Sequence, residues 1–379
     1  MDANATTPLL PEVFEAMRPY WMESYGNASS IHRDGQRARQ AVDAAREQLA
    51  EFLGCREAEV VFNSGGTEGD NTALCGLLAP GDHLITTAIE HEAILRTAER
   101  LATRGVEVSF IAPEPSGLIA PETVRAALQP NTKLISVMLA NNETGVLQPV
   151  EEIGKIAADA GAYFHIDAVQ GAGKVRLDVT RFGCHLLSIS AHKIHGPKGV
   201  GALYVRRGTP VEPLLVGGKH ERRRRAGTEN VPGIVGLGKA VELARTALDN
   251  ATLTRLAALR DRLEQGILAI TGTRVHGAAP RVANTTNIGF EQVEGEALVI
   301  ALDLKGVALS GGSACSSGST EPSHVLMAMG LDKTEARASL RFSLLRTASE
   351  ADVDAVLGVL PEAVAQLRAI SPAVAGTAQ

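Results

Sequence analysis

Short apolar runs alternate with longer amphipathic segments over the first half of the chain. The runs have the length and composition of strands, and the segments between them show the spacing of helices. Strands are predicted at 59–63, 83–89, 106–112, 133–140, 163–167 and 185–190. Helices are predicted at 67–79, 92–104, 122–128 and 150–160. The strands are apolar almost throughout, as in strands covered on both faces, so the pattern predicts an α/β fold with a mostly parallel sheet between helices.

The pattern changes after Pro232. A long helical stretch is predicted at 241–270. Short strands and further helices are then predicted at 284–290, 296–304, 340–345 and 351–370. This mixture is typical of a smaller α+β domain. We expect residues 13–250 to form a large domain, and residues 1–12 with 251–379 to form the small one.

Composition and charge narrow the class of protein. The 379 residues are 45% hydrophobic and 21% charged, which is a globular composition. With 37 basic against 43 acidic side chains and only 3% aromatics, direct binding to nucleic acid is not expected. No apolar run approaches the roughly 18 residues that span a bilayer, and the N-terminus shows no secretory signal.

The four cysteines give a first indication of the compartment. Cys55, Cys75, Cys184 and Cys315 are widely spaced and form no CxxC motif. Four cysteines in a chain of this length are too few for a disulfide framework. We therefore expect a reducing, cytoplasmic environment.

A glycine-rich turn follows the first predicted strand. Residues 63–68, Asn-Ser-Gly-Gly-Thr-Glu, lead from that strand into a helix, and Thr67 adds a hydroxyl group. Free N–H groups at a helix start attract anions, although a plain capped turn remains the alternative. Residues 233–240 resemble a phosphate loop, but Ala240 stands where magnesium needs a hydroxyl and no strand precedes them. They predict a closely packed helix.

Two further strands end in residues that carry chemistry. The strand at 163–167 ends in Asp167. A buried carboxylate there needs a cation or hydrogen-bond donors, and a structural ion pair would satisfy it as well as a ligand would. The strand at 185–190 runs into a tight loop with Lys193, which is either an exposed lysine or a Schiff-base amine with a lowered pKa. His192 and His195 form an HxxH pair without a nearby carboxylate or cysteine, so no metal is expected.

These segments are more specific together than singly. Pyridoxal 5'-phosphate requires an amine for its aldehyde, an anion for its ring nitrogen and an anion-binding site for its phosphate. Over nearly the whole chain the sequence resembles the cysteine desulfurases of the iron–sulfur-cluster and nitrogen-fixation type. These are class V aminotransferase-like enzymes of fold-type I pyridoxal-phosphate architecture. The resemblance is carried by residues 2–8, 64–68, 90–91, 141–145, 165–170, 188–193, 225–230, 313–317, 321–324 and 340–343.

The resemblance implies a role for each matching residue. Lys193 would bind the cofactor covalently, Asp167 would pair with its ring nitrogen and Gln170 with its phenolic oxygen. His91 would stack on the ring and assist proton transfer. The phosphate would be held by Thr67, Ser190 and His192 beside Gly66, and by Thr228 of a neighbouring subunit, which implies a homodimer. The substrate carboxylate would be bound by Asn142 and Arg341, in a pocket lined by Asn4, Ala5 and Thr6.

Cys315 differs from the other cysteines. It lies among small residues at 311–318, where a mobile loop is expected, whereas the others lie beside apolar residues. A cysteine on such a loop can deliver a thiolate and carry its product away. The resemblance implies that Cys315 takes sulfur from L-cysteine as a persulfide, leaves L-alanine and passes the sulfur to an acceptor or cluster-scaffold protein.

Some interpretations stay open at this stage. The acceptor pathway can be general cluster assembly, nitrogenase maturation or tRNA thiolation. A selenocysteine lyase, an aminotransferase or a non-catalytic sulfur-trafficking scaffold would share the fold. The basic run 222–225 is interpreted as a solvated or subunit-interface loop, or as a dock for an acidic partner. The resemblance also shows departures, since Gly66 stands where some relatives have alanine and Gly312 where many have serine.

Overall fold

The computed structural model describes residues 1–311 and 321–370. Within them the predicted strands of the first half assemble into a seven-stranded sheet with one additional strand. The strands are β1 (Val60–Asn63), β2 (His83–Thr87), β3 (Glu107–Ile111), β4 (Thr132–Ser136), β5 (Tyr163–Asp167), β6 (Leu186–Ser190) and β7 (Gly201–Val205). Their order is β1-β7-β6-β5-β4-β2-β3. The α/β prediction with a mostly parallel sheet is therefore confirmed.

Strand β7 is the additional strand, and it runs antiparallel to both β6 and β1. The other neighbouring pairs are parallel. Sequence interpretation missed β7 because its apolar residues follow directly on a glycine-rich loop. All residues of β5 and β6 are buried except the half-buried Tyr163, which explains their uninterrupted apolar sequences.

Helices cover the sheet. In chain order they are α1 (Pro11–Met17), α2 (Pro19–Met22), α3 (Arg33–Leu53), α4 (Gly66–Cys75), α5 (Glu92–Ala102), α6 (Pro121–Ala126), α7 (Val150–Asp159), α8 (Val179–Phe182) and α9 (Val231–Asp249). Helix α3 was not predicted, although its buried residues follow helical spacing. The segment 233–240 lies inside α9, where a Cβ on Gly238 would come within 2.8 Å of Ala45 in α3. The prediction of a closely packed helix is confirmed.

A second sheet of four antiparallel strands follows, with the order β10-β11-β9-β8. Its strands are β8 (Thr273–His276), β9 (Thr285–Phe290), β10 (Ser310–Gly311) and β11 (Ser339–Ser343). The remaining helices are α10 (Thr252–Leu268), α11 (Gly295–Asp303), α12 (His324–Ala328), α13 (Lys333–Arg337) and α14 (Glu350–Ile370). The single helical stretch predicted at 241–270 is wrong. Asn250 has an extended backbone and its side chain accepts from Thr252 N at 2.8 Å, so α9 ends and α10 begins there.

The apolar cores support the predicted division into two domains, which remains a prediction. One core packs β8, β9 and β11 against α10, α11 and α14. Separate clusters cover the large sheet. Helices α12 and α13 lie in the chain segment assigned to the small domain, yet Val325, Leu326 and Ala336 pack into the core of the large one. Within 1–311 and 321–370, every helix is too short or too polar to cross a membrane.

Candidate active site

A cleft of about 280 Å³ lies where the large sheet, the N-terminal segment and β11 meet. Strands β5 and β6 point their carboxyl ends at it, the usual ligand position in open α/β sheets. Its lining includes most of the residues that the sequence singled out. They are Asn4, Ala5, Gly66, Thr67, His91, Asn142, Asp167, Gln170, Ser190, His192, Lys193 and Arg341.

Lys193 lies in a single 3-10 turn, Ala191–Lys193, directly after β6. Its Nζ donates to the carbonyl oxygens of Asn4 at 2.6 Å and of Ala5 at 2.8 Å. The amine is therefore held inside the cleft by the N-terminal segment, which excludes the interpretation of Lys193 as an exposed loop lysine.

Asp167 ends β5 and is buried. Its Oδ1 accepts a hydrogen bond from Val169 N at 2.9 Å. Burial raises the pKa of this carboxyl, while the nearby His91 and Lys193 lower it. A cationic ligand group beside Asp167 would further favour the charged carboxylate. A ring nitrogen that must stay protonated needs such a charged partner.

The predicted anion-binding site lies at the start of α4. Gly65 precedes the helix with φ +146°, and a Cβ on Gly66 would lie 2.6 Å from Val169 Cγ2. Gly66 thus allows the start of α4 to pack closely against Val169. Ser190 and His192 approach from the end of β6. Burial and the positive charges of Lys193 and Lys198 lower the pKa of His192 to about 4, so its imidazole is neutral at pH 7.

His91 is the N-cap of α5. Its Nδ1 accepts from Ala93 N at 3.1 Å, so the proton of the neutral ring is on Nε2. The helix cap therefore fixes both the tautomer and the ring position at the edge of the cleft.

Arg341 is the most deeply buried cation of the site, with 1% of its surface exposed. Its Nη1 donates to Asn142 O at 3.1 Å and its Nη2 to Asp2 Oδ1 at 2.7 Å. Its Nε is buried and has no hydrogen-bond partner among the described residues. Sequence interpretation did not assign Asp2 a role, although Asp2 belongs to the N-terminal motif that carries the resemblance.

Buried acidic residues next to the cleft were also missed. Asp70 lines it, and burial together with Asp167 raises the pKa of Asp70 well above its ordinary value. Asp70 falls on the same buried stripe of α4 as Gly66, Gly69 and Ala73, so helical spacing would have revealed it. Glu90 is fully buried, and its Oε1 accepts from Thr87 Oγ1 at 2.7 Å and Met138 N at 2.9 Å.

Two predicted residues lie outside the cleft lining. Thr228 is exposed and outside the cleft lining. Thr6 is exposed, with its Oγ1 3.1 Å from His192 Nδ1. Cys315 lies outside the described residues, so its role stays a prediction.

The basic run 222–225 is partly engaged within the chain. Arg225 pairs with Glu68 at 2.9 Å, and Arg224 donates to Ala58 O at 2.8 Å. Arg222 and Arg223 are exposed and have positive φ angles. Arg222 also donates to Glu57 O at 3.4 Å, so three of the four arginines make contacts within the chain.

Comparison with known proteins identifies the class to which this fold and cleft belong. Residues 1–356 match the family model described as aminotransferase class-V, and the chain belongs to that family. It is 52% identical over 377 residues to a cysteine desulfurase of Trichormus azollae, a match that covers 98% of this chain and 94% of the relative.

Solved structures agree with this assignment. A NifS-like protein superposes with a TM-score of 0.90 at 35% identity, covering 97% of this chain and 99% of the other. A structure described as SspA in complex with cysteine gives a TM-score of 0.81 at 36% identity, covering 90% and 97%. The predicted fold-type I architecture and family resemblance are confirmed.

The family is dependent on pyridoxal 5'-phosphate. The cleft fits this cofactor on two observations. An amine and a buried carboxyl face it from Lys193 and Asp167. The start of α4, which lines the cleft with Gly66 and Thr67, offers backbone donors for a phosphate.

Proposed function

We propose that the protein is a cysteine desulfurase, which converts L-cysteine to L-alanine and retains the sulfur as a persulfide on Cys315. The observation that carries the proposal is that one cleft brings together the amine of Lys193, the carboxyl of Asp167 and the guanidinium of Arg341. An α-amino acid bound there would meet a cation for its carboxylate and a cofactor site for its amine. The 52% identity to a curated cysteine desulfurase supports the choice of substrate.

The cofactor-binding roles are those that the family resemblance implies, and the cleft lining supports most of them. Lys193 would bind pyridoxal 5'-phosphate covalently, Asp167 would pair with its ring nitrogen and Gln170 with its phenolic oxygen, and His91 would lie against the ring. Gly66, Thr67, Ser190 and His192 would hold its phosphate, together with Thr228 of the partner subunit. When bound, the cofactor withdraws electron density from the substrate Cα and so makes its proton acidic.

The substrate is oriented by its carboxylate. Arg341 and Asn142 bind it, with Ala5 and Thr6 beside them. A planar guanidinium matches a carboxylate, and Asp2 holds its Nη2 in place. The amine of Lys193 or Nε2 of His91 moves the Cα proton.

Sulfur leaves through Cys315. Its thiolate attacks the substrate sulfur and forms a sulfur–sulfur bond. The carbon–sulfur bond breaks, and its electron pair stays with the carbon skeleton, which takes up protons and leaves as alanine. The persulfide then passes to an acceptor protein for iron–sulfur cluster assembly or a related thiolation. The described cysteines, Cys55, Cys75 and Cys184, are free thiols, consistent with a reducing cytoplasm.

The active form is a homodimer in this proposal. Four large apolar side chains close to the N-terminus lie on the surface: Trp21 is 61% exposed, Met22 82%, Tyr25 79% and Ile31 93%. Exposed apolar clusters of this kind mark protein interfaces. Light scattering should give twice the chain mass of 39.8 kDa. Trp21→Glu should weaken the dimer, whereas Ile370→Glu, at a surface position 77% exposed, should not.

The decisive test of the persulfide is mass spectrometry. The purified protein is incubated with L-cysteine without reductant and then digested. The peptide containing Cys315 should gain one sulfur atom, and the peptides of the other three cysteines should not. A gain on another cysteine, or none on Cys315 while alanine forms, would contradict the assignment.

A further inference from the structure

Lys174 is a half-buried lysine beside the cleft that the proposed chemistry does not use. It follows Gln170 by four residues, in the tight turns after β5. Its Nζ donates to Gln170 Oε1 at 2.6 Å and to Asn4 Oδ1 at 2.8 Å. The ammonium group therefore contacts two amide side chains at once, and both belong to residues that line the cleft.

These contacts decide which way each amide faces. Nζ is the donor in both contacts, so the atom that it meets on each amide is the oxygen, which accepts. The NH₂ group of Gln170 then points away from Lys174, and its Nε2 donates to Asn4 O at 2.9 Å. A flipped Gln170 would bring its NH₂ against the ammonium, with two donors facing each other.

The same argument holds for Asn4. Its Oδ1 accepts from Lys174 and from Asn284 Nδ2 at 3.2 Å. Its Nδ2 donates to Asn142 O at 3.1 Å and Thr285 Oγ1 at 2.9 Å. Its backbone oxygen accepts from Lys193 and Gln170. Lys174 thus supports the N-terminal segment, which holds the amine of Lys193.

The surroundings make this an unfavourable place for an ordinary structural lysine. Burial lowers the pKa of Lys174 well below its usual value, and the charges of Lys193 and Arg341 lower it further. The acceptors of its two side-chain hydrogen bonds are neutral amides. A third cation at this position is costly for stability, which points to a role in the site.

We propose that Lys174 is a positioning residue, which locks the Gln170 amide with its NH₂ group toward the phenolic oxygen of pyridoxal 5'-phosphate. The inference rests on the proposed function, because it takes the cofactor as the group that Gln170 faces. Lys174 acts through Gln170 and need not touch the cofactor.

The test is a double-mutant cycle on cofactor affinity. Cofactor-free wild type, Lys174→Met, Gln170→Met and the double variant are titrated with pyridoxal 5'-phosphate and followed by absorbance. We expect Lys174→Met to weaken binding about tenfold, the effect of one lost hydrogen bond to a charged oxygen. In the Gln170→Met background the same substitution should have little further effect, because no amide is left to orient.

Controls separate this role from others. Lys155→Met removes an exposed lysine on α7 and should leave the affinity unchanged. An undiminished effect of Lys174→Met in the Gln170→Met background would show that Lys174 acts through its charge or through folding, and would overturn the proposal. Unchanged affinity in Lys174→Met alone would overturn it as well. Wild type that binds no cofactor would instead contradict the proposed function, and the inference with it.

Discussion

Asp2 and Arg341 are 339 positions apart in the chain, and their side chains form a partly buried pair at 2.7 Å. The pair joins the N-terminal segment to β11 at the wall of the cleft. Arg341 also donates to Asn142 O, so two of its nitrogens are fixed while Nε is left for a ligand. An arginine restrained in this way needs little further ordering when it binds a carboxylate.

The first prediction concerns this arginine. Arg341→Lys should raise the KM for L-cysteine by about tenfold or more, because a point charge replaces a planar fork that matches a carboxylate. The value of kcat should change less, since the reacting atoms lie at the other end of the substrate. Steady-state kinetics of alanine formation measure both. A fall in kcat with KM unchanged would place Arg341 outside substrate binding.

The second prediction concerns Gly66. A methyl group there would lie 2.6 Å from Val169 Cγ2, so Gly66→Ala should cost about 1–3 kcal/mol of unfolding free energy through overpacking. Val169→Ala removes the clashing methyl group. The double variant should therefore recover most of the loss in a denaturant titration. Equal losses in the single and double variants would show that Val169 is not the obstacle.

The third prediction concerns Glu90. Burial raises the pKa of this carboxyl from 4.5 to about 8, although Thr87 and Met138 donate to it. The folded protein therefore keeps a proton that the unfolded chain releases. Between pH 4.5 and 8 the wild type should lose stability relative to Glu90→Gln, by about 1.4 kcal/mol per pH unit.

Denaturant titrations of both proteins across this pH range measure the difference. It should be smallest near pH 4.5 and level off above pH 8. A difference that does not change with pH would mean that Glu90 is ionised in the folded protein.

The fourth prediction concerns Asp167. Asp167→Asn should still bind pyridoxal 5'-phosphate, because Lys193 and the residues proposed to hold the phosphate are unchanged. Turnover should fall by about a hundredfold or more, since a neutral amide cannot hold a positive charge on the ring nitrogen. Absorbance of the bound cofactor checks the first statement and alanine formation the second. Full turnover in this variant would remove Asp167 from the chemistry.

The sequence allowed a large part of the fold to be predicted for a simple reason. Strands buried on both faces are continuous apolar runs, so β5 was predicted with its observed ends and β6 within one residue. The residues that follow those strands, Asp167 and Lys193, could be located because strand ends define the ligand edge of such a sheet.

Other features depend on tertiary contacts that no local pattern contains. The pair of Asp2 with Arg341 joins opposite ends of the chain. The importance of Lys174 emerges only when Asn4 and Gln170 are seen on either side of it. The break at Asn250 was missed because a single residue interrupts an otherwise helical pattern. The side chain of Asn250 accepts from the first residue of the next helix.

In the proposed function, the chain takes sulfur from L-cysteine through Lys193 and Cys315. The first experiment measures alanine and sulfide formed from L-cysteine with a reducing thiol, for wild type, Lys193→Ala and Cys315→Ser. Wild type should form both products in equal amounts, and neither variant should form either product. Sulfide release by Cys315→Ser at the wild-type rate, or cysteine consumption by wild type without sulfide, would contradict the proposed function.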